Sequence, residues 1–497
     1  MMKKTAILAL STVLASQLMG ADDINEMFKE GKAGGYVRIH HIFPEASDTV
    51  AEAGSVIGGK LKYQTGALYG LRFGAAFYTT QNTGLANDSY MTKDGYGHFA
   101  QGLQGDDMKG YVTLGEAYAS YHLSNTDLTY GRQEFKTPMT ENAVTIIPNL
   151  FEGTVATIKE ISDVTITAAH ITKMQYGTRA ATDNALIGDG VYGITAGAGY
   201  GFGNPAVNGT TGVITAGYGK EVFQNMGEAT FGRTGAVGTA ARMDTAGVTS
   251  LGIDYKKGGL AARVWDYYAH EMYNTIYADA EYKMDAGPAK VTLEAQILSQ
   301  SDVGDFATSG GGSALKTLRT VTMPSAFNSG AGTPLYKTKI SADGTIDAMA
   351  WGAKAKADIG NFALSAAYNQ NNDGHIISAW GGDPLYTTMI FARNEYRADT
   401  TAFKVGVEYN FKDLGIPGLT FSASSAQYDT DVQTWTGTGV GTIGPVVNEQ
   451  TEVQDYMLFY VVPSVKGLWF RLFHEQRDND TRQYEQSHTR LIANLSF

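Results

Sequence analysis

Basic side chains recur in segments of the sequence where apolar and polar residues alternate. The arginines and lysines at polar positions of such segments are Arg38, Arg72, Arg132, Arg263, Lys354, Lys356, Lys404, Arg471 and Arg490. The carboxylates Glu116, Asp266 and Glu408 take comparable positions. Fixed charges of this kind lower the barrier for an oppositely charged solute on a watery path, and they need no nucleophile. For any single member, a location near a strand end or an ion pair between strands is an equally good explanation.

Other arrangements of reactive side chains are weak. His40 and His41 are adjacent in an alternating segment, so they point to opposite faces and cannot chelate one metal ion together. His270 precedes Glu271 but lacks the second histidine of a zinc-protease helix. No helical pattern follows the alternating glycines of residues 197–203 to bind a phosphate, and there is no Gly-x-Ser-x-Gly elbow. We therefore expect no enzyme and no catalytic residue.

Acidic pairs in two connections are the remaining candidates for cation binding. They are Asp429 with Asp431 and Asp478 with Asp480. Such carboxylates can bind Ca²⁺, although solvated loop acids are the commoner explanation. No metal site and no cofactor is assigned.

The composition favours one large repetitive β architecture. The chain has 497 residues with 60 Gly, 29 Tyr and 21 Phe, and the same mixture of aromatic, glycine and polar residues runs throughout. Two or three soluble domains, the usual expectation at this length, would show linkers or shifts in composition. The absence of cysteine excludes disulfides, thiolate metal sites and cysteine nucleophiles.

The amino terminus has the order of a secretory signal. Lys3 and Lys4 precede an apolar run that ends near Leu18, and Gly20 and Ala21 supply small residues for cleavage. Residues 1–21 are therefore interpreted as a signal peptide. The formal net charge of the full chain is already −12, and losing two lysines makes it more acidic, which argues against nucleic acid as a partner. No other stretch approaches 18 uninterrupted apolar residues.

Segments that alternate with a period of two recur from residue 35 to the carboxyl terminus, and the pattern weakens in the glycine-rich stretch 190–218. Short connections rich in turn formers largely alternate with long polar stretches, which are Asn82–Lys109, Lys136–Asn149, Phe223–Val248, Gln300–Thr345, Asn371–Asp399 and Asp429–Gln454. Outer-membrane barrels sort their connections in this way, with short periplasmic turns and long extracellular loops. We predict an all-β fold in which residues 22–34 are a periplasmic lead-in and residues 35–497 are a transmembrane antiparallel β-barrel of about 18 strands, or 20 as the alternative.

The last ten residues, HTRLIANLSF, are typical of a closing strand. Leu491, Ala493, Leu495 and Phe497 share one face, and Ile492 interrupts the polar face. We expect this strand to pair with the first one, and Phe497 to mark the chain for membrane insertion.

Several motifs resemble the OprD family of substrate-specific outer-membrane porins. The strongest is FKVGVEYNFKDLGIPGLTF, from Phe403 to Phe421, which reads as two strands joined by a tight turn. Gly-Arg-Gln at residues 131–133 with Pro138, PNLFEG at residues 148–153, and MFKEGKAGGYVR at residues 27–38 are also similar.

The resemblance implies an 18-stranded barrel with a narrowed lumen, inward loops and a ladder of basic side chains that guides small anionic or zwitterionic solutes. The family motif makes Arg132 the strongest individual candidate. The family commonly has an Asp and then an Arg shortly before the proline that is Pro148 here, whereas this sequence has Ala143 and Thr145. The charged contact of the constriction is thus absent, which makes a less selective pore plausible.

The expected function is a porin for passive diffusion of small hydrophilic solutes in the outer membrane of a Gram-negative cell, with amino acids or carboxylates selected by basic lumen residues. The alternatives are a general-diffusion porin, a surface adhesin and an outer-membrane enzyme. Expected partners are outer-membrane lipids and lipopolysaccharide, the barrel-assembly machinery and small solutes. The sequence is compatible with a single barrel or a homotrimer.

Overall fold

Eighteen antiparallel strands form the wall of a closed barrel. The structure, a computed structural model, describes residues 21–46, 51–85, 103, 110–141, 145–178, 222–231, 233–234, 241–242, 245–303, 335–337, 346–374, 376–378, 380–392, 394–436, 442–479 and 484–497. The wall strands are β1 Lys32–Ala46, β2 Ala51–Gln64, β3 Leu71–Asn82, β4 Tyr111–Leu123, β5 Thr126–Gln133, β6 Leu150–Ile158, β7 Val164–Gln175, β8 Val248–Lys257, β9 Leu260–Ala269, β10 Tyr273–Ala286, β11 Ala289–Asp302, β12 Asp347–Ile359, β13 Phe362–Asn371, β14 Thr400–Asn410, β15 Leu419–Thr436, β16 Thr442–Val461, β17 Leu468–Asn479 and β18 Tyr484–Ser496.

The first and last strands close the cylinder. β1 pairs with β18 from Tyr36 opposite Ser496 to Ile42 opposite Arg490. Beyond that ladder, Gly35 and Phe497 exchange two backbone hydrogen bonds of 3.0 and 3.1 Å. A closed sheet leaves no strand edge with unpaired amides in the membrane. The predicted fold and the pairing of the last strand with the first are confirmed, and 18 is the correct strand number.

Each strand presents one apolar face outward and a mixed face inward. Val37, Phe73 and Val264 are 44, 46 and 53% exposed on the outside, whereas Tyr78 and Tyr267 are fully buried on the inside. Because neighbouring side chains of a strand alternate between faces, this pattern assigns residues in the regularly paired parts of the wall to the membrane or to the lumen.

The prediction of a long loop at Asp429–Gln454 was wrong. β15 continues to Thr436 and β16 starts at Thr442, and the two strands remain paired to Thr436 opposite Thr442. The upper part of this hairpin extends beyond the neighbouring strands, whose pairing with it ends at Thr430 and Glu452. Polar residues on both faces remove the alternation on which the strand prediction depended.

Short helices lie at the two ends of the barrel. Helix α1, Ile24–Lys29, is capped by Asp23, whose carboxylate accepts from the amide of Glu26. Helix α2 is Met226–Phe231. Within the described residues, no helix is both long and apolar enough to span a membrane. Most of the proposed signal peptide, residues 1–20, and the glycine-rich stretch 190–218 lie outside the described residues.

Two chain segments leave the wall and fold into the lumen. The first inner segment comprises residues 134–141 and 145–149, and the second comprises residues 376–378, 380–392 and 394–399. Ile146 and Ile376 are fully buried, and Trp380 stacks on Tyr273 of β10 at 5.8 Å between ring centroids. Apolar burial inside the barrel therefore comes largely from these segments packing against the wall.

Candidate functional site in the barrel lumen

The wall holds the first inner segment through main-chain atoms. The hydroxyl of Tyr36 donates to the carbonyl oxygen of Ile146 at 2.7 Å, and Arg38 donates to the carbonyl oxygen of Thr145. The Thr145 side chain is buried and shares a 2.8 Å hydrogen bond with Thr178. Position 145, where the resembled family commonly has an arginine, therefore has a threonine whose hydroxyl forms a hydrogen bond within the protein. Ala143 lies outside the described residues.

Two wall carboxylates hold the second inner segment. Asp455 accepts from the amide of Ile390 at 2.8 Å, and Glu475 accepts from the amide of Phe391 at 2.6 Å. Lys404 donates to the carbonyl oxygen of Thr388 at 2.6 Å. A buried amide left without an acceptor is costly, so these contacts fix the path of the segment across the lumen.

The two inner segments also contact each other. The amide of Gly382 donates to the carbonyl oxygen of Met139 at 3.1 Å. The side-chain amide of Asn149 donates to the carbonyl oxygen of Trp380 at 2.9 Å. A solute crossing the barrel must therefore pass a joint surface built from both segments and the part of the wall they leave uncovered.

A dense charge network lies where the first inner segment begins. Lys60 contacts Glu116 and Glu134, each at 2.5 Å, and Lys62 contacts Glu116 at 2.6 Å. The hydroxyl of Tyr78 donates to both carboxylates, at 2.7 and 2.9 Å. Burial alone would raise the pKa of Glu134, but the adjacent Lys60 ammonium holds it below its ordinary value. Both carboxylates are consequently neutralised by partners.

Other candidate bases on the inner face are also paired. Arg263 binds Asp279 with a 2.8 Å contact from Nε. Lys354 lies 3.1 Å from Glu294, and Lys356 lies 2.9 Å from Asp358. Each pair joins neighbouring positions of the wall and leaves little net charge for a solute.

Glu408 faces inward near the short-turn end of β14, opposite Ser422 and Ala363.

Arg38, Arg72 and Arg471 differ because they have no carboxylate partner among the described residues. Arg38 and Arg471 share Trp469, with their guanidinium carbons 5.5 and 5.7 Å from its ring centroid. Aromatic faces stabilise a cation without cancelling its charge. The inner face of β17, β18 and β1 therefore carries net positive charge at this point.

Arg490 extends the same basic strip toward the long-loop end. It lies on β18 opposite Ile42 of β1, and its guanidinium is 4.9 Å from the ring of Phe391 and 5.8 Å from that of Phe473. Because Phe391 belongs to the second inner segment, this segment covers Arg490. Lys404 is similarly occupied by the carbonyl oxygen of Thr388.

Two candidates lie on the outer face, so their lumen assignment is corrected. Arg132 shares its face with Leu128 and Tyr130, which are 45 and 69% exposed, and pairs with Glu152 at 2.9 Å. Asp266 is exposed on the face of Val264 and Tyr268. The period of two places residues i and i±2 on one side of a strand, so neither side chain reaches the lumen.

Comparison with known proteins decides the family. A model described as outer membrane porin, OprD family, matches residues 61–195 and 222–497. The chain belongs to the OprD family. The porin is therefore an outer-membrane channel that contacts membrane lipids and small solutes.

Solved OprD-type structures share the fold at low sequence identity. Pseudomonas aeruginosa OccK8 (OprE) is 16% identical with a TM-score of 0.65, covering 95% of this chain and 99% of that chain. Pseudomonas aeruginosa OccK9 (OpdG) is 16% identical with a TM-score of 0.64 and the same coverage. Pseudomonas aeruginosa OpdK with vanillate is 14% identical with a TM-score of 0.60 and again the same coverage. No curated protein sequence matches the chain.

Sequence reasoning missed several residues that organise this OprD lumen. Lys60 and Lys62 flank Leu61 in the same polar–apolar alternation that identifies Arg38. The sequence therefore contains the pattern that predicts both lysines on the inner face. Glu134 follows the end of β5, where alternation no longer applies. Asp455 and Glu475 hold the second inner segment through contacts that span 65 and 84 residues, and no local pattern contains such contacts.

The calcium alternative gains no support. Asp429 and Asp431 lie in β15, and within the described part of the chain no group of three or more acidic or histidine side chains is placed to hold a metal ion. Asp480 lies outside the described residues.

Proposed function

We propose that this porin passes small hydrophilic solutes that carry a carboxylate, such as amino acids or carboxylic acids, and that Arg38 and Arg471 select them. The observation that carries the proposal is that these two inner-face arginines share Trp469 and have no carboxylate partner within the described part of the chain, whereas neighbouring inner bases are neutralised. Uncompensated charge in a water-filled path attracts counter-ions and lowers their barrier.

A general-diffusion channel is the second candidate. Thr145 supports it, because this position contributes a buried hydroxyl in place of the arginine common in the family. In this case the size of a solute would decide how fast it passes the lumen. The net charge near Arg38 and Arg471 would have only a small effect on that rate.

Ion selectivity separates the two candidates. In planar bilayers the purified protein should give stepwise conductance, and a salt gradient should give a reversal potential that favours anions. Arg471→Ala should shift that potential toward cations, since a fixed positive charge is lost. Arg132→Ala is the matched control, because it removes the same group from the outer face. Equal reversal potentials in wild type and Arg471→Ala would contradict charge selection, and absence of conductance would contradict a pore.

The solute class can then be tested in liposomes. Swelling rates for amino acids, monocarboxylates and neutral sugars of similar size should rank the carboxylate-bearing solutes first in the wild type. Arg471→Ala should abolish the ranking while keeping the sugar rate. Equal wild-type rates for all three classes would favour general diffusion.

Three further proposals concern targeting and assembly. Residues 1–21 are removed as a signal peptide, residues 22–34 form the periplasmic lead-in, whose last three residues already belong to strand β1, and Phe497 is read by the barrel-assembly machinery. The exposed ring of Phe497 at the short-turn end supports the last of these, since its side chain is 64% exposed.

A further inference from the structure

Helix α1 is amphipathic although it has only six residues. Side chains three and four positions apart share one side of a helix, which places Ile24, Met27 and Phe28 together. The charged residues Glu26 and Lys29 lie on the other side. Met27 is buried in the protein, whereas Ile24 and Phe28 are 64 and 55% exposed. The protein therefore leaves two large apolar side chains of this face uncovered.

Main-chain hydrogen bonds fix the orientation of the helix. In the turn between β2 and β3, the amide of Gly66 donates to the carbonyl oxygen of Met27 at 2.8 Å. The hydroxyl of Tyr63 in β2 donates to the carbonyl oxygen of Phe28. These contacts hold two consecutive residues near the end of α1, so the direction in which Ile24 and Phe28 point is set by the fold.

Tyr63 places the helix at the membrane side of the short-turn rim. It is the next-to-last residue of β2 and shares the outer face with Leu61, whose side chain is 57% exposed. Because a side chain of the outer face reaches the carbonyl oxygen of Phe28, the end of α1 lies outside the lumen. Leu71 and Phe73, at the start of β3, are 37 and 46% exposed on the same outer face. The uncovered side of α1 therefore adjoins wall surface that meets lipid.

We propose that Ile24 and Phe28 insert among the phospholipids of the periplasmic leaflet, so that α1 anchors the start of the barrel to the membrane surface. The short-turn end of an outer-membrane barrel faces the periplasm, and an interfacial helix buries its apolar face about 5–10 Å into the boundary between headgroups and acyl chains. The charged side has Glu26 and Glu30 against Lys29, so apolar contact drives the insertion and attraction to anionic headgroups does not. This anchor goes beyond the channel function and uses none of the lumen residues.

Spin labelling can test the anchor, because the chain has no cysteine and a single introduced cysteine is a unique attachment point. In nanodiscs of phosphatidylcholine, labels at Ile24→Cys and Phe28→Cys should collide often with oxygen, which concentrates in acyl chains, and rarely with a water-soluble nickel chelate. Lys29→Cys is the matched control, since Lys29 is exposed on the other side of the same helix. Its oxygen-to-nickel collision ratio should be several-fold lower.

Two outcomes of this measurement would overturn the proposal. Nickel collisions as frequent at positions 24 and 28 as at position 29 would mean that the apolar face meets water, and rare collisions with both reagents would mean that another part of the protein covers it. Heat-modifiable gel mobility verifies that each labelled variant is a folded barrel. Unchanged conductance separates the result from the channel proposal.

A second variant tests whether insertion holds the helix. With the label at Lys29→Cys, the double change Ile24→Asn/Phe28→Asn should raise the ratio of mobile to immobile spectral components about tenfold, because two apolar side chains lose their burial in lipid. Asn25→Ala, at an exposed polar position of the same helix, should leave the ratio unchanged. An unchanged ratio in the double variant would show that the protein alone positions α1, which would contradict the anchor.

Discussion

The phenolic hydroxyl of Tyr36 in β1 donates a 2.7 Å hydrogen bond to the carbonyl oxygen of Ile146 in the first inner segment. Tyr36→Phe removes only that donor and leaves a buried carbonyl short of a partner, at an expected cost of about 1 kcal/mol. The segment should move more, and single-channel recordings should show noisier open-channel current at unchanged strand content. Tyr130→Phe, on the outer face, is the control, and equal noise in the two variants would contradict this anchor.

Lys60 neutralises two carboxylates at once, Glu116 and Glu134. Lys60→Met should shift the reversal potential toward cations, because a positive charge is lost and Glu134 becomes less compensated. Breaking a buried pair should also destabilise the barrel by about 3 kcal/mol, measured by denaturant unfolding. Lys60→Arg keeps the charge and should retain selectivity, so a similar shift in both variants would mean that shape, not charge, is responsible.

Glu395 in the second inner segment should make docking of that segment depend on pH. The pKa of Glu395 is raised from its ordinary 4.5 to about 8, chiefly by burial; the hydrogen bond from Thr388 opposes the rise, Asp383 adds to it and Lys404 reduces it. A raised pKa means that the docked state binds the proton more tightly, so docking is most favourable below pH 4.5 and weakens as pH rises to about 8.

Conductance recorded across that interval should therefore change in the wild type and stay flat in Glu395→Gln, which cannot ionise. Glu160→Gln is the control, because hydrogen bonds from the exposed turn, first of all the amide of Asn125, lower the pKa of Glu160 and keep its titration below the interval. A wild-type profile that survives in Glu395→Gln would assign the pH response to another group.

Deletion of Phe497 should impair assembly before it affects conductance. The residue exchanges two backbone hydrogen bonds with Gly35 at the closing pair, and its side chain is exposed. The amount of heat-modifiable barrel in outer membranes should fall, whereas Phe497→Tyr, which keeps an aromatic ring, should assemble normally. Normal amounts of the deletion variant would show that this stretch is only wall.

Period-two alternation was sufficient to predict the wall. Alternation predicts Arg38, Arg471 and Arg490 on the inner face, opposite to the apolar residues of their strands, and the structure has them there. Arg132 and Asp266 were misplaced although the same alternation puts them with Tyr130 and Val264 on the outside. The family motif at Arg132 and the preference of charged side chains for a watery lumen predict an inward position, but the parity of neighbouring residues determines the face.

The interior of the barrel was beyond sequence reasoning for a physical reason. The contacts of Tyr36 with Ile146 and of Glu475 with Phe391 join residues 110 and 84 positions apart, and they depend on how two polar connections fold inward. Such connections have no periodicity, so nothing local distinguishes one that enters the lumen from one that remains outside.

The wall holds the inner segments mainly by their backbone. Tyr36 and Lys404 bind carbonyl oxygens, while Asp455 and Glu475 bind amides, and every residue type except proline supplies both groups. Side chains of these segments that do not pack against the wall are thus free to vary without loss of docking. Evolution can exchange the chemistry that a passing molecule meets while the scaffold stays constant, which suits a protein family whose members diverge to below 20% identity within one architecture.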